Sequence, residues 1–224
     1  MNTNRIATAL LSLCTIFLLS ASRQTGSVIW KVDNTSSIGN HQPVQLGHPV
    51  AVQDGSRKAV RFNGVDDGLV LPVNPLEKKK AFTVEVLFKP AADGPPAPRF
   101  VHMQDSIGNR CTLELRFVPG GRWYADTFLR NGKTEKGLTL IDSTLQHPCG
   151  QWSWLALVYD GSRMSDYVNG VKESEGDIAL DPMLPGQISL GVRLNRVNWF
   201  KGQIAEVRIH DRALRKEDLQ VVRK

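Results

Sequence analysis

The chain has 224 residues, 41% of them hydrophobic, and 28 Lys plus Arg against 22 Asp plus Glu, for a net charge of +6. That apolar share is too high for a disordered polyelectrolyte, and the length suits one large domain with a sizeable core. The basic residues are dispersed except for Lys78-Lys79-Lys80 and a C-terminal group at Arg215, Lys216, Arg223 and Lys224. Solvated loops account for such clusters, and nucleic acid is not an expected partner.

In chain order the first element is an apolar run over residues 6–19, preceded by Arg5 and followed by Ser20, Ala21 and Ser22. A charged start, an apolar middle and small residues at the end predict a signal peptide over residues 1–22. The run is shorter than the roughly 20 residues a bilayer span needs, so no stable membrane insertion is expected after cleavage. The mature protein is then secreted, periplasmic or at the cell surface. Removal of Cys14 leaves Cys111 and Cys149, an even pair in an exported chain, and predicts a disulfide between them. Closing that loop would add roughly 4 kcal/mol of stability on a chain-entropy basis. A metal site at these cysteines lacks ligands, because His147 supplies at most one more.

Residues 23–58 are turn-rich and read as a lead-in edge strand with a wrapping loop. From residue 59 onward short alternating strands are predicted at 59–63, 69–72, 82–89, 100–104, 110–118, 123–130, 138–141, 152–159, 164–168, 187–190 and 201–209. Asn-Gly steps at residues 63, 131 and 169 mark turns between them. The segment 91–98 is a Pro-rich loop, and a short helical segment is expected after the last strand, beginning at Arg212-Ala213-Leu214. Many short strands with no long helix predict an all-β, antiparallel two-sheet sandwich over residues 59–224. Its core is expected to include Phe62, Val84, Val86, Leu155, Leu157, Val207 and Ile209.

Four landmarks occur in order: Phe62-Asn63-Gly64-Val65-Asp66-Asp67, then residues 82–90, then residues 152–161, then Leu190-Gly191 followed by residues 200–214. This series resembles the laminin G-like, concanavalin A-like lectin and glucanase jelly roll. The resemblance implies that fold and an outer sheet face able to take sugar. It names no reaction, because the landmarks are core and turn residues.

Strand parity separates core from surface. It sets Glu85, Glu114, Arg116 and Asp126 opposite the apolar positions of their strands. If the strands are neighbours, Glu85, His102, Gln104, Glu114, Arg116 and Asp126 form one polar field, with Tyr124, Trp123 or Trp199 as stacking rings. Tyr124 shares the parity of Asp126 and is the better platform. The candidate ligand residues are therefore Glu85, His102, Glu114, Arg116, Tyr124 and Asp126.

Catalytic patterns are incomplete. Glycosidases of this architecture carry Glu-x-Asp-x-x-Glu on one strand, and Glu175-Gly176-Asp177 begins that pattern, but Leu180 stands at its last position. The alginate-lyase pattern fares no better, with Glu114-Leu115-Arg116 preceded by His102-Met103-Gln104 in reversed order. The resemblance also implies a structural calcium held by an Asp of the last strand. Ala205 occupies that position, so no cofactor is expected, with a structural calcium on oxygens of Asp33, Asp66 and Asp67 as the open alternative. The expected function is a non-catalytic recognition domain for carbohydrate or another extracellular surface. The runner-up is a carbohydrate-active enzyme using Glu85, Glu114 or Asp126, and the third reading is an adhesive, protein-binding sandwich.

Overall fold

The computed structural model describes residues 26–222. The expected signal peptide, residues 1–22, lies outside them. Sixteen strands follow in order: β1 (Ser27–Lys31), β2 (Val44–Leu46), β3 (Val50–Asp54), β4 (Arg57–Asn63), β5 (Gly68–Leu71), β6 (Phe82–Pro90), β7 (Arg99–Asp105) and β8 (Arg110–Val118). The rest are β9 (Arg122–Arg130), β10 (Gly137–Ile141), β11 (His147–Pro148), β12 (Ser153–Tyr159), β13 (Arg163–Val168), β14 (Val171–Asp177), β15 (Gly186–Leu190) and β16 (Lys201–His210). After them comes a 3-10 turn at Lys216–Asp218, in place of the helical segment expected from Arg212 onward.

The strands form two antiparallel sheets. The first runs β14-β13-β12-β6-β16-β4-β3, with β1 also on β16, and the second runs β10-β9-β8-β7-β15-β5-β2, with β11 on β9. Val171–Asp177, outside the strands expected from the sequence, is the edge strand β14. The Asn169-Gly170 turn before it has φ of 48° and 76°, the doubly left-handed geometry that joins two strands tightly. A Cβ at Gly191 (φ 81°) would stand 2.3 Å from the Phe62 ring, which requires glycine there.

Apolar residues of the two inner faces fill the space between the sheets. Phe62, Val84, Val86, Leu155, Leu157, Val207 and Ile209 are all buried, as their period predicts. Phe88 lies at the centre, with ring centroids 4.6 Å from Phe100 and 5.2 Å from Trp123. Three register shifts occur among the described residues, one of them between β13 and β14 at Asp166 and Tyr167, and the other two change which residues face the core. One in β7 between Arg99 and Val101 lets Phe100 and Val101 both face the core, and one in β16 between Ile204 and Glu206 turns Ala205 outward.

The expected disulfide is absent, and Cys111 and Cys149 are both free thiols. Cys111 sits opposite Leu129, whereas the Cys149 amide donates to Gly121 at the other end of the β8–β9 ladder. The stretch of β8 from Cys111 to Phe117, opposite Trp123, alone spans about 20 Å. A disulfide needs Cα atoms within about 7 Å. An even count of cysteines carries no information about that separation.

Candidate functional site

The outer faces of the two sheets differ in cover. On the first sheet Ala59, Leu87, Trp154 and Ala205 form an apolar patch that Val222 packs against, and Ala156 and Val158 pack with Leu214 and Leu219. The C-terminal segment is tied down there, since Leu214 N donates to Thr83 Oγ1 at 2.9 Å and Gln220 N to Glu85 Oε1 at 2.6 Å. Glu85 is fully buried beneath it and also pairs with His210 Nε2 at 3.0 Å. Glu85 therefore does not join the predicted polar field. Parity put it rightly on an outer face but could not say which sheet.

The other five candidates do come together, on the outer face of the second sheet. Cross-strand neighbours run His102–Thr112–Phe128 in one row, Arg99–Glu114–Asp126 in the next and Arg116–Tyr124 beyond. Gln104 and Arg110 flank His102 and Thr112 on the other side. An ion pair and a charge-assisted hydrogen bond organise the centre: Arg99 Nε lies 2.8 Å from Glu114 Oε1, and Arg116 Nε donates to Asp126 Oδ2 at 2.6 Å. Tyr124 is half-buried beside Arg116. Trp123 points into the core and donates to the Pro148 carbonyl, so it offers no platform. The 91–98 loop does not cover this face. The Pro96 and Pro98 carbonyls accept from Phe117 N and Leu115 N, which lays the loop alongside β8 in the plane of the sheet.

Burial shapes the electrostatics. Glu114 is 5% and Asp126 2% exposed. Desolvation, and then the neighbouring Asp126 charge, push the Glu114 carboxyl above its ordinary range. His102 accepts a hydrogen bond from Leu194 N at Nδ1, 3.0 Å, and burial followed by the Arg110, Arg193 and Arg99 charges pulls its pKa down to about 3. Reading the sequence missed Arg99, Arg110 and Arg193. Arg110 shares the parity of Glu114 and was there to be found; Arg193 reaches the face from a loop, which no strand period reports.

Elsewhere, a cavity of about 530 Å³ opens between His48, Arg61, Asp67, Lys89 and Lys201 at the rim of the first sheet. Its charges are mostly matched: Lys89 holds Asp54 at 2.7 Å, Lys201 holds Asp93 at 2.5 Å, and Asp67 accepts from His48 N and Asn63 N. Among the described residues no three His, Cys, Asp or Glu side chains are grouped to hold a metal ion. Asp66 and Asp67 are engaged with Asn63 and nearby backbone in closing their turn, and Ala205 packs in the apolar patch.

A two-sheet antiparallel jelly roll is the architecture of a lectin-like β-sandwich. Residues 63–220 match the family model of the concanavalin A-like lectin/glucanases superfamily, and the chain belongs to that superfamily. No curated protein matches it. Among solved structures it is similar to domain 4 of AbnA, a GH43 extracellular arabinanase from Geobacillus stearothermophilus, in complex with arabinotriose. The identity is 23% and the TM-score 0.65, covering 85% of this chain and 94% of that one. It is also similar to the binding domain of Paraclostridial Mosquitocidal Protein 1, at 14% identity and TM-score 0.66, covering 86% of this chain and 50% of that one. The receptor binding domain of botulinum neurotoxin D aligns at 15% identity and TM-score 0.63, over 86% and 50%. The chain spans about half the length of these two toxin domains. Among the described residues no helix is long and apolar enough to cross a membrane.

Proposed function

We propose that this protein is an exported, non-catalytic recognition domain that binds carbohydrate on the outer face of its second sheet. The observation that carries this reading is the Arg116–Asp126 pair set beside the Tyr124 ring on a face left open by the C-terminal segment. Sugar recognition combines directional partners for hydroxyls with an aromatic platform for the C–H face of the ring, and the cross-strand neighbours Arg116 and Tyr124 offer one of each. Membership of a lectin and glucanase superfamily and the arabinotriose complex of a similar domain support it.

Binding is favoured over hydrolysis by the state of the carboxylates. A glycosidase needs one carboxyl free to donate a proton and a second free to attack or to activate water. Here Glu114 and Asp126 are each held by an arginine and nearly closed to solvent.

The test is affinity electrophoresis of the purified protein against a polysaccharide panel, repeated with Tyr124→Ala and Arg116→Gln. Tyr124→Ala is expected to weaken binding about tenfold, equivalent to about 1.4 kcal/mol. Its melting temperature should stay close to that of the parent. Unchanged affinity in both folded variants would remove this face as the site.

A further inference from the structure

Three buried polar atoms without a hydrogen-bond partner lie side by side on the second sheet: His102 Nε2, Thr112 Oγ1 and Arg110 Nε. His102 and Thr112 are cross-strand neighbours, and Arg110 stands two residues along the same face of β8. Their hydrogen-bonding character follows from their surroundings. Because Leu194 N donates to His102 Nδ1, that nitrogen holds the lone pair, and the proton of the neutral ring is on Nε2. An arginine Nε is always a donor, and the threonine hydroxyl turns either way. Ser189, the neighbour of His102 on β15, spends its hydroxyl on the Val192 carbonyl at 2.6 Å. Gln104 stands opposite Arg110, yet none of the three atoms has a hydrogen-bond partner.

Positive charge outweighs negative there, although Glu114 attracts both Arg110 and Arg193. Arg99 and Arg130 have carboxylate partners in Glu114 and Glu135. Arg110 and Arg193 make no ion pair among the described residues, and Arg110 has only the Phe128 ring beneath it, 5.8 Å away. Arg110 and Arg193 are both pulled below the ordinary guanidinium range, first by burial and then by the other arginines. A water molecule would satisfy a donor but leave the charge excess in place. An oxyanion answers both needs, because its oxygens accept two or three charge-assisted hydrogen bonds at once.

We propose that the His102–Thr112–Arg110 spot, with Arg193 beside it, is the subsite for an anionic substituent of a glycan, a uronate carboxylate or a sulfate ester. The protein then recognises an acidic polysaccharide. This rests on reading the second-sheet face as a glycan site and narrows its ligand class. The three atoms are closed to solvent as the side chains stand, so binding requires the half-buried Arg110 and Arg193 side chains to re-orient around the anion, which their flexible stems allow.

Affinity electrophoresis tests this with three polymers: polygalacturonate for the carboxylate, dextran sulfate for the sulfate and arabinan as a neutral control. The proteins are the parent, Arg110→Gln with Arg193→Gln, and a remote control with Lys78, Lys79 and Lys80 changed to Gln. Retardation by one acidic polymer is expected, weakened about tenfold in the double arginine variant and unchanged in the lysine control. The double variant should fold normally, since neither arginine gives up an ion pair. Equal affinity of parent and double variant, or an equal loss in the lysine control, overturns the proposal. If arabinan binds through Tyr124 with no acidic preference, the recognition reading stands and the anionic subsite falls. If no polysaccharide binds but inorganic sulfate raises the melting temperature of the parent and not of the double variant, the subsite stands and the glycan reading falls. If sulfate also does nothing, both fall.

Discussion

Thr127 in β9 donates its hydroxyl to Asp166 Oδ2 in β13 at 3.0 Å, a polar bond from one sheet to the other inside the sandwich. The other oxygen of Asp166 accepts from Ser174 N at 2.8 Å, and the residue is 1% exposed. Burial pushes its pKa up to about 6, against the lowering effect of the Thr127 bond, and the nearby charge of Glu173 adds to the rise. Glu173 is itself paired with His147 Nε2 at 2.6 Å.

The sign of the pH dependence follows. With the folded pKa above the unfolded value of 3.8, the native state holds this proton more tightly, so the contribution is complete below about pH 4 and is lost as pH rises through 6. Asp166→Asn keeps an acceptor for Ser174 N and carries no charge. It is expected to match the parent near pH 4 and to exceed it by up to about 3 kcal/mol at pH 8. Urea unfolding of both proteins from pH 4 to 8 checks this, and comparison with the parent cancels the opposite trend of His102, whose lowered pKa costs stability as pH falls below 6.5. No gain at pH 8 would show that the Asp166 charge is relieved in some other way.

Glu85 makes a contrasting case. Glu85→Ala should leave any glycan affinity unchanged, because the residue serves the first sheet. It should lower stability by about 1–3 kcal/mol, since Gln220 N loses its acceptor. Faster hydrogen exchange at Gln220 should accompany the loss. A variant that lost binding while keeping its exchange pattern would restore Glu85 to the ligand site.

The cysteines give a direct chemical test. Burial raises the Cys111 thiol far above its ordinary range and raises Cys149 less. In native protein from an oxidising compartment, Cys149 should label slowly and Cys111 only after unfolding, with the same melting temperature with and without reductant. A Cys111–Cys149 cross-linked peptide in a non-reducing digest would contradict the strand geometry described above.

Much of the architecture was legible in residue order. The alternation in Phe82, Val84, Val86 and Phe88 is a local property of an extended chain, and it predicted burial because side chains on successive residues must point to opposite faces. The same rule placed Glu114, Arg116, Tyr124 and Asp126 together on an outer face, since β8 and β9 are joined by a short turn and pair along their whole length. Where the backbone bulges, at Phe100 and Ala205, the period slips and parity alone misplaces residues.

The sequence by itself determined most of the strands, their inward faces and the family, because each rests on local period, turn chemistry and short ordered motifs; β2, β3, β11 and β14, short or at the sheet edges, escaped it. Tertiary structure alone decided which sheet each outward residue belongs to, and so separated Glu85 from Glu114. It decided that Cys111 and Cys149 stand far apart, and that Arg193 and the Leu194 amide meet His102 across a loop. These are contacts between positions distant in the chain. Their geometry depends on how the two sheets are ordered and stacked, which no single strand's pattern encodes.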